Sequence, residues 1–560
     1  MRTGLYGIAS TQEVQPFPEG KGVVDEGCHI SIVMEEPRHA IQQGCLHLTE
    51  GCLFGAHGVW LNAEHPDWSS PAHLEELEHT VSEAVTYASV EGPLQAVHWS
   101  AATRTLQLHG DFARQHPLFW TKWSSGIVFA YSMDMLVSLM RRQDLEVLPD
   151  EEGAAMLLTF GSIIGDGTLI QGVKKLMPGH TLTWTPDAVV VEERLPLADI
   201  ERDITDTEES TDVLDEAFRL SVAQMVQANQ YAGCDQHNLL SGGLDSRLVA
   251  LATAQGLDGG RLSTLCFSAK GARDESISAA LAERHGWTHR FHDLQEGGYM
   301  TVTDSVFEYD GCVNFLASAH HREALKAHPL PKLGLLGSGQ GANVLLTDNH
   351  KWASSGSEVL RSMRLYAGVN EWARRSAKAA WEACGDVQTF RLVNRGFLYT
   401  NSGANSTAAF GVLWSPFVSA QFVRAALRLA PSLIEGQRAY LTWLAERFPQ
   451  ATEHVWERYN ARPVLGWRLR LAQTMALWKA RFWRVWPWNS SASMSPVEHW
   501  MSSSSNIQHF YRDTFRRLSP LLSHYPHLQG QVERDYPNMS AVNKASVLTL
   551  LLATESWIEP

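Results

Sequence analysis

Short apolar runs separated by turn residues dominate residues 1–195: HISIVM (29–34), TLQLHG (105–110), GIVFAYS (126–132) and HTLTWT (180–185). That pattern predicts packed antiparallel sheets. From about residue 211 the period changes. LDEAFRLSVAQMVQ (214–227) repeats apolar positions every three and four residues, NLL (238–240) reads as a short buried strand, and SRLVALATAQG (246–256) reads as a helix stopped by Gly256. RLSTLCFS (261–268) and THRFHDL (288–294) are predicted strands around the helix DESISAALAERHG (274–286). A further helix over roughly 318–327 precedes the strand KLGLL (332–336), and beyond about 390 the chain reads as mainly helical. Strands alternating with helices predict a doubly wound parallel sheet, with any ligand beyond the carboxyl ends of its strands.

The segment LADIERDITDTEESTDV (197–213) carries seven carboxylates and one arginine without an apolar pattern. It reads as a domain linker, or else as a solvated loop within one domain. The expected division is an N-terminal domain over 1–200, a second over 201–465 and a helical extension over 466–560, which suits a chain of 560 residues. In that extension, Arg468, Arg470, Lys479, Arg481 and Arg484 alternate with Trp467, Trp478, Trp483, Trp486 and Trp488. A packed core helix is the expectation there, and a surface lying on a membrane or holding a peptide is the other reading.

Composition narrows the function classes. Hydrophobic content of 44% and charged content of 19% describe a globular chain, and a net charge of −15 argues against a general nucleic-acid binder. The N-terminus lacks the apolar core of about 7–15 residues that a secretory signal needs. VLTLLLA (547–553) is far short of the roughly 20 residues of a membrane span, so a cytoplasmic protein is expected. Seven cysteines (28, 45, 52, 234, 266, 312 and 384) show no C-x-x-C or His-paired spacing, and read as reduced thiols forming neither a zinc site nor a disulfide framework.

The chemistry concentrates in LLSGGLDSRLVA (239–250), a glycine turn between a buried strand and a helix. Gly242 and Gly243 allow positive φ and a close backbone approach, and successive N–H groups with the helix dipole make an anion nest. Ser241 and Ser246 offer hydroxyls. Asp245 is repelled by phosphate unless a cation bridges the two, so the set points to magnesium pyrophosphate. A plain turn capping the helix is the alternative.

LSGGLDSRLV is similar to the PP-loop of the ATP pyrophosphatases, and the chain resembles asparagine synthetase and its relatives, which include β-lactam synthetases and lasso-peptide macrocyclases. DFARQHPLFW (111–120), VFAYSMDMLVSL (128–139), TLIQGVKKLMPGHTL (168–182), CFSAKGARDESISAALAERHGWTH (266–289), LLGSGQGANVLL (335–346) and WSPFVSAQFVRAALRLAP (414–431) follow the family's motifs in order. The resemblance implies an α+β N-terminal Ntn-like antiparallel sandwich, then an α/β doubly wound PP-loop domain with a helical C-terminal part. It implies ATP and Mg2+ as cofactors. Leu240, Ser241, Gly242, Gly243, Leu244, Asp245, Ser246, Phe267, Ser338 and Gly339 would bind ATP. Asp245 and Asn343 would bind the metal, and Asp245, Gln340 and a downstream cation, Arg462 with Arg458 as its neighbour candidate, would serve catalysis.

Two departures from that family matter. Its glutaminase uses a cysteine directly after the initiator methionine, whereas this sequence reads Met1-Arg2-Thr3-Gly4, and Thr3 would serve only after unusual trimming. The family's glutamine-binding element is faint in VWLNAEHP (59–66), and Glu91-Gly92 stands where Asp-Gly is expected. The N-terminal domain is therefore expected to keep its fold without glutamine hydrolysis. In the second departure, Gln340, Asn343 and Val344 replace family acids, and an amide neither acts as a general base nor holds magnesium well. Asp310 in EYDG or Asp348 in LLTDNH is a candidate replacement, each with a bland reading beside it as a helix cap or a solvated turn. The resemblance then implies an ATP-dependent, amide-forming synthetase that adenylates a carboxylate, using ammonia or an amine of the same substrate. Lasso-type peptide cyclisation or amidation follows, with a carboxylate-bearing small molecule or peptide, and a precursor peptide with its protease, as partners. Neither nucleic acid nor membrane is expected as a partner. A degenerate nucleotide-binding subunit is the alternative.

Overall fold

The computed structural model describes residues 2–14, 17, 19–25, 27–49, 51–61, 77–79, 91–257, 261–347, 356–483 and 494–559. The N-terminal part opens with β1 (Leu5–Ser10), β2 (Lys21–Asp25), β3 (Cys28–Met34), β4 (Gln43–Thr49), β5 (Cys52–Gly58) and β6 (Leu94–Ser100). It continues with β7 (Thr105–His109), β8 (Phe119–Trp123), β9 (Gly126–Ala130), β10 (Lys174–Lys175), β11 (His180–Trp184) and β12 (Val189–Glu193). These strands form two antiparallel sheets, β10-β8-β9-β1-β3-β2 and β12-β11-β7-β6-β5-β4. Leu5, Ile30, Ile32, Phe129, Val97, Trp99 and Leu108 interleave between them. The opposite face of the first sheet carries Tyr6, Ile8 and Val128 beneath α1 (Met133–Arg142) and α2 (Glu151–Phe160). Both faces of β1 are thus covered, so all six of its residues are buried and its sequence does not alternate.

The predicted parallel sheet follows. Its elements are α3 (Thr207–Tyr231), β13 (Asp235–Leu239), α4 (Leu244–Gln255), β14 (Leu262–Ser268), α5 (Arg273–His285), β15 (Thr288–Asp293), α6 (Ala319–Ala327), β16 (Leu333–Gly337) and β17 (Val412–Trp414). The order is β15-β14-β13-β16-β17, parallel throughout. Chain direction across the sheet reverses between β13 and β16, which opens a crevice at their carboxyl ends. The loops after those two strands are 240–243 and 338–341.

The acidic segment 197–213 is folded rather than a free linker. Ile204 is fully buried, and its backbone bonds to Arg428 and Ala430 at 3.0 and 2.8 Å. Asp206 caps α3 by accepting from the Glu208 and Glu209 amides at 2.8 and 3.0 Å. The density of acids there belongs to a helix N-terminus, where negative charge offsets the dipole.

Two further helices, α7 (Ala420–Leu427) and α8 (Arg438–Arg447), enclose an aromatic cluster of Phe218, Phe417, Phe422, Trp443 and Phe448. The expected core helix over the Trp-rich segment, α9 (Trp467–Trp483), instead exposes Trp467, Leu471, Met475 and Trp478, while Leu469 is buried. Residues 484–493 lie outside the described residues. The run 547–553 sits in α10 (Ala541–Trp557), a core helix packed on α2, with the Trp557 Nε1–H donating to Asp134 at 2.5 Å. Among the described residues no helix is long and apolar enough to cross a membrane.

Candidate functional site

Ser241-Gly242-Gly243 leaves β13 and enters α4 with Gly243 as the N-cap. Ser246 Oγ accepts from the Ser241 amide at 3.0 Å and lies 2.9 Å from Ser241 Oγ, which accepts from the Gly243 amide at 3.1 Å. The Gly242 amide donates to Asp274 Oδ1 at 2.9 Å. The loop amides are thus engaged within the loop, and the first-turn amides of α4 remain as the helix's anion donors.

The glycines serve close approach, not the positive φ expected of them. Gly243 has φ −71° and neither glycine is left-handed. A Cβ on Gly242 would lie 2.8 Å from the Glu457 side chain, and one on Gly339 would lie 2.5 Å from the Ser246 amide. Gly242 admits the 451–458 strap, and Gly339 lets the second loop rest on the first.

Arg247 fixes that strap. Its fully buried guanidinium donates to the carbonyls of Gly242 (2.6 Å), Ala451 (3.0 Å), His454 (3.2 Å) and Val455 (2.5 Å). This brings Glu457 and Arg458 over the loop.

The resulting cavity of about 900 Å³ is lined by the loop residues 239–241 and 243–246, by Phe267, and by Ser338, Gly339, Gln340 and Asn343. Leu240, Ser241, Gly243, Leu244, Asp245 and Ser246 are all present, while Gly242 lies just behind the lining. Sequence reasoning did not find Arg273, Asp274, His320, His321, Arg395 and Glu457, which share this lining. The pair His320 and His321 is adjacent in sequence, and both rings pack on Phe267 at 5.2 and 5.1 Å. Burial lowers both imidazoles, His321 to about 4, so they are neutral near pH 7.

Three carboxylates meet here. Asp245 accepts from the Tyr440 hydroxyl at 2.5 Å, and burial raises its pKa to about 6. Burial, with the charge of Asp274 next, raises Glu457 to about 7, and Glu457 Oε2 is buried without a partner. Asp274 lines the same cavity, and acids gathered there, with Asp245 and Glu457 raised by burial, suit a cation or a proton.

Of the two candidate downstream cations, Arg458 faces the cavity and Arg462 does not. Trp456 bridges Ala461, closing a turn with Asn460 at φ 52°. Arg458 within the turn lines the cavity, whereas Arg462 lies beyond the bridge, exposed and outside the lining. Asp310 does not supply the missing charge either. It is buried, ion-paired with Arg2 and accepts from the Met133 amide at 2.9 Å. Asp348 lies outside the described residues.

At the head of β1 a second group of polar side chains is buried. Both oxygens of Asp310 accept from Arg2 Nη2 at 2.8 and 2.7 Å, and Thr3 Oγ1 lies 3.2 Å from His57 Nε2. Both oxygens of Glu91 accept from the Ala420 amide, at 3.1 and 2.9 Å, at the start of α7. Gln115 Nε2 donates to the Leu413 carbonyl at 3.0 Å. The Arg2–Asp310, Glu91–Ala420 and Gln115–Leu413 contacts join the N-terminal half to the parallel-sheet half.

A family model, asparagine synthase, matches residues 213–434. No curated protein matches. Among solved structures, the allosteric regulatory enzyme of purine biosynthesis is 10% identical with a TM-score of 0.19, over 52% of this chain and 75% of that one. Glutamine phosphoribosylpyrophosphate amidotransferase from B. subtilis, complexed with ADP and GMP, is also 10% identical at a TM-score of 0.19, over 60% and 76%. Likenesses that weak carry no argument. The family match covers most of the residues that line the cavity, while Trp456, Glu457, Arg458 and Met494 lie outside it.

Proposed function

We propose that this cavity uses ATP and magnesium to activate a substrate carboxylate, which an amine then captures as an amide. The single observation that carries the proposal is the convergence of Asp245, Asp274 and Glu457 with Arg273, Arg395 and Arg458 around one helix N-terminus. A volume of about 900 Å³ has room for a nucleotide and a second substrate. The substrate carboxylate attacks the α-phosphorus, pyrophosphate leaves, and the amine displaces AMP from the acyl-adenylate. Positioning and charge neutralisation supply most of the acceleration in such steps.

The first-turn amides of α4 and the Ser241 and Ser246 hydroxyls would bind phosphate oxygens. Asp245 and Asp274 are hard oxygen donors on adjacent walls and fit magnesium, which screens phosphate charge when bound. They stand in for the acids that Gln340 and Asn343 lack. Glu457, held near pH 7, has the basicity to take the proton of the attacking amine at Oε2. Glu457→Gln is expected to slow amide formation about a hundredfold while nucleotide binding persists.

The cavity wall at Val344 and Arg395 also lines a neighbouring space of about 350 Å³ that includes Arg391. Beyond the helix Gly356–Met363 a third cavity of about 690 Å³ carries Arg361, Arg364, Arg374, Arg375 and Lys378 against one acid, Glu382. So much positive charge in a chain of net charge −15 supports an acidic, extended substrate such as a peptide. The proposed nitrogen source is free ammonia or an amine of the same peptide, a reading that the ion pairing of Arg2 with Asp310 supports. The latter gives cyclisation, with a precursor peptide and its protease as partners.

Incubation with MgATP and a panel of acidic peptides, amino acids and sugar acids tests the reading. AMP and pyrophosphate should appear together, only with a matching acid, and added glutamine should yield no glutamate. ATP turnover indifferent to every acid, in the native protein and in the Gln340→Glu/Asn343→Asp variant alike, would reject it.

A further inference from the structure

Away from that cavity, Cys52, Glu78 and His98 bring one ligand atom each to within 4.8 Å of one another. The register explains how. Cys52 on β5 pairs with Ser100 on β6, and Phe54 pairs with His98, so Cys52 and His98 are diagonal neighbours on one face of the second sheet. That face is apolar, with Phe54, Ala56, Trp60 and Ala96, and Leu77 is fully buried against it. Burial of Leu77 anchors the helical residues 77–79 there and delivers the Glu78 carboxylate to the edge of the patch. Cys52 Sγ–H donates to Glu78 Oε1 at 3.0 Å, and Sγ lies 3.3 Å from His98 Nε2. All three side chains are half-buried, so solvent reaches the cluster.

We propose that Cys52, Glu78 and His98 form a zinc site that staples residues 77–79 onto strands β5 and β6. Tetrahedral zinc has bonds of about 2.3 Å to sulfur and about 2.0–2.2 Å to nitrogen and oxygen, which places such ligand atoms about 3.6 Å apart. The two separations from Cys52 Sγ, 3.0 and 3.3 Å, need about half an ångström of opening, and the Glu78 and His98 ligand atoms lie within 4.8 Å of each other. On binding, the thiol proton that Cys52 donates to Glu78 leaves to solvent, and thiolate, imidazole and carboxylate occupy three positions with water at the fourth. Thiolate and imidazole select a borderline metal, while magnesium prefers all-oxygen sets. The two metals therefore sort between the two halves without competition. The wide spacing of 52, 78 and 98 hides the site from any sequence search for paired ligands.

The test uses the full chain, stripped of metal by a chelator and returned to excess magnesium. Titration with Co(II) as a spectroscopic stand-in should give one equivalent with a thiolate charge-transfer band. Zn(II) should displace it and raise the melting temperature. Cys52→Ser and His98→Ala should each bind at least about tenfold more weakly, and Cys28→Ala should bind as the native chain does. Because a substitution in a packed sheet can disturb folding, alkylation of the native chain by iodoacetamide is the second measurement. Zn(II) should protect Cys52 while leaving the half-buried Cys234 and Cys384 equally reactive. A Co(II) complex without the thiolate band, or Cys52 alkylated at the same rate with and without Zn(II), overturns the proposal.

Discussion

The two halves each bury a cluster of charged groups, and the clusters differ in where their charges go. At the head of β1, Arg2 meets Asp310, Glu91 meets the start of α7, and the space left is about 30 Å³, enough for a water or two. In the parallel-sheet half, Asp245, Asp274 and Glu457 line one cavity of about 900 Å³, with Asp245 and Glu457 raised by burial and Glu457 Oε2 unpartnered. Charges answered by protein groups make an interface. Like charges left facing a cavity make a site for something that arrives from outside.

The sharpest way to break that contrast is Arg247→Met. It removes a cation with four carbonyl partners and leaves those acceptors buried, a loss of about 3 kcal/mol or more by denaturant unfolding. The strap bearing Glu457 and Arg458 should detach, and nucleotide affinity should fall with it. Unchanged stability would mean that the strap is held by other contacts.

Arg2→Ala should act on the other side of the comparison. Leaving Asp310 buried and unpaired costs about 2 kcal/mol or more, and Arg2→Ala/Asp310→Asn should recover part of it. Nucleotide affinity should stay within about twofold, because the pair lies outside the cavity. A large loss of affinity would show that the cluster at the head of β1 is coupled to the cavity.

The smallest expected effect is a pH slope. Burial raises Glu91 to about 8 and Asp111 to about 7. Between their ordinary carboxylate values and those raised ones the folded chain binds more protons than the unfolded chain. Their contribution is therefore complete at acid pH and is lost as pH rises towards 8. The melting temperature should decline over that window, and Glu91→Gln should flatten the decline. An identical slope in the variant would remove Glu91 as its source.

What was legible follows from the range of the interactions. β3, β7, β9, β11 and β13 to β16, the turn 241–246 and the loop 338–343 are local patterns, visible as periodicity or motif, whereas the three-residue β17 lies in a stretch that reads as helical. Asp274, Arg395 and Glu457 reach the cavity only because a parallel sheet and a strap fold them together, and no local pattern announces that. Arg247 lies in plain sight within the motif, but three of its four carbonyl partners, Ala451, His454 and Val455, are more than 200 residues away in sequence. Arg458 and Arg462 looked equivalent until the Trp456–Ala461 bridge turned one inward. The acids of 197–213 resembled a linker because capping and dipole compensation use the same residues as solvation.

The central claim is that the cavity, and not the cluster at the head of β1, holds nucleotide through Asp245. Calorimetric titration of the native chain, Asp245→Ala and Arg2→Ala with MgATP tests it directly. The account predicts affinity at least about tenfold weaker in Asp245→Ala, from the loss of a charge partner for the magnesium complex, and native affinity in Arg2→Ala. Equal affinity in native and Asp245→Ala proteins would contradict it.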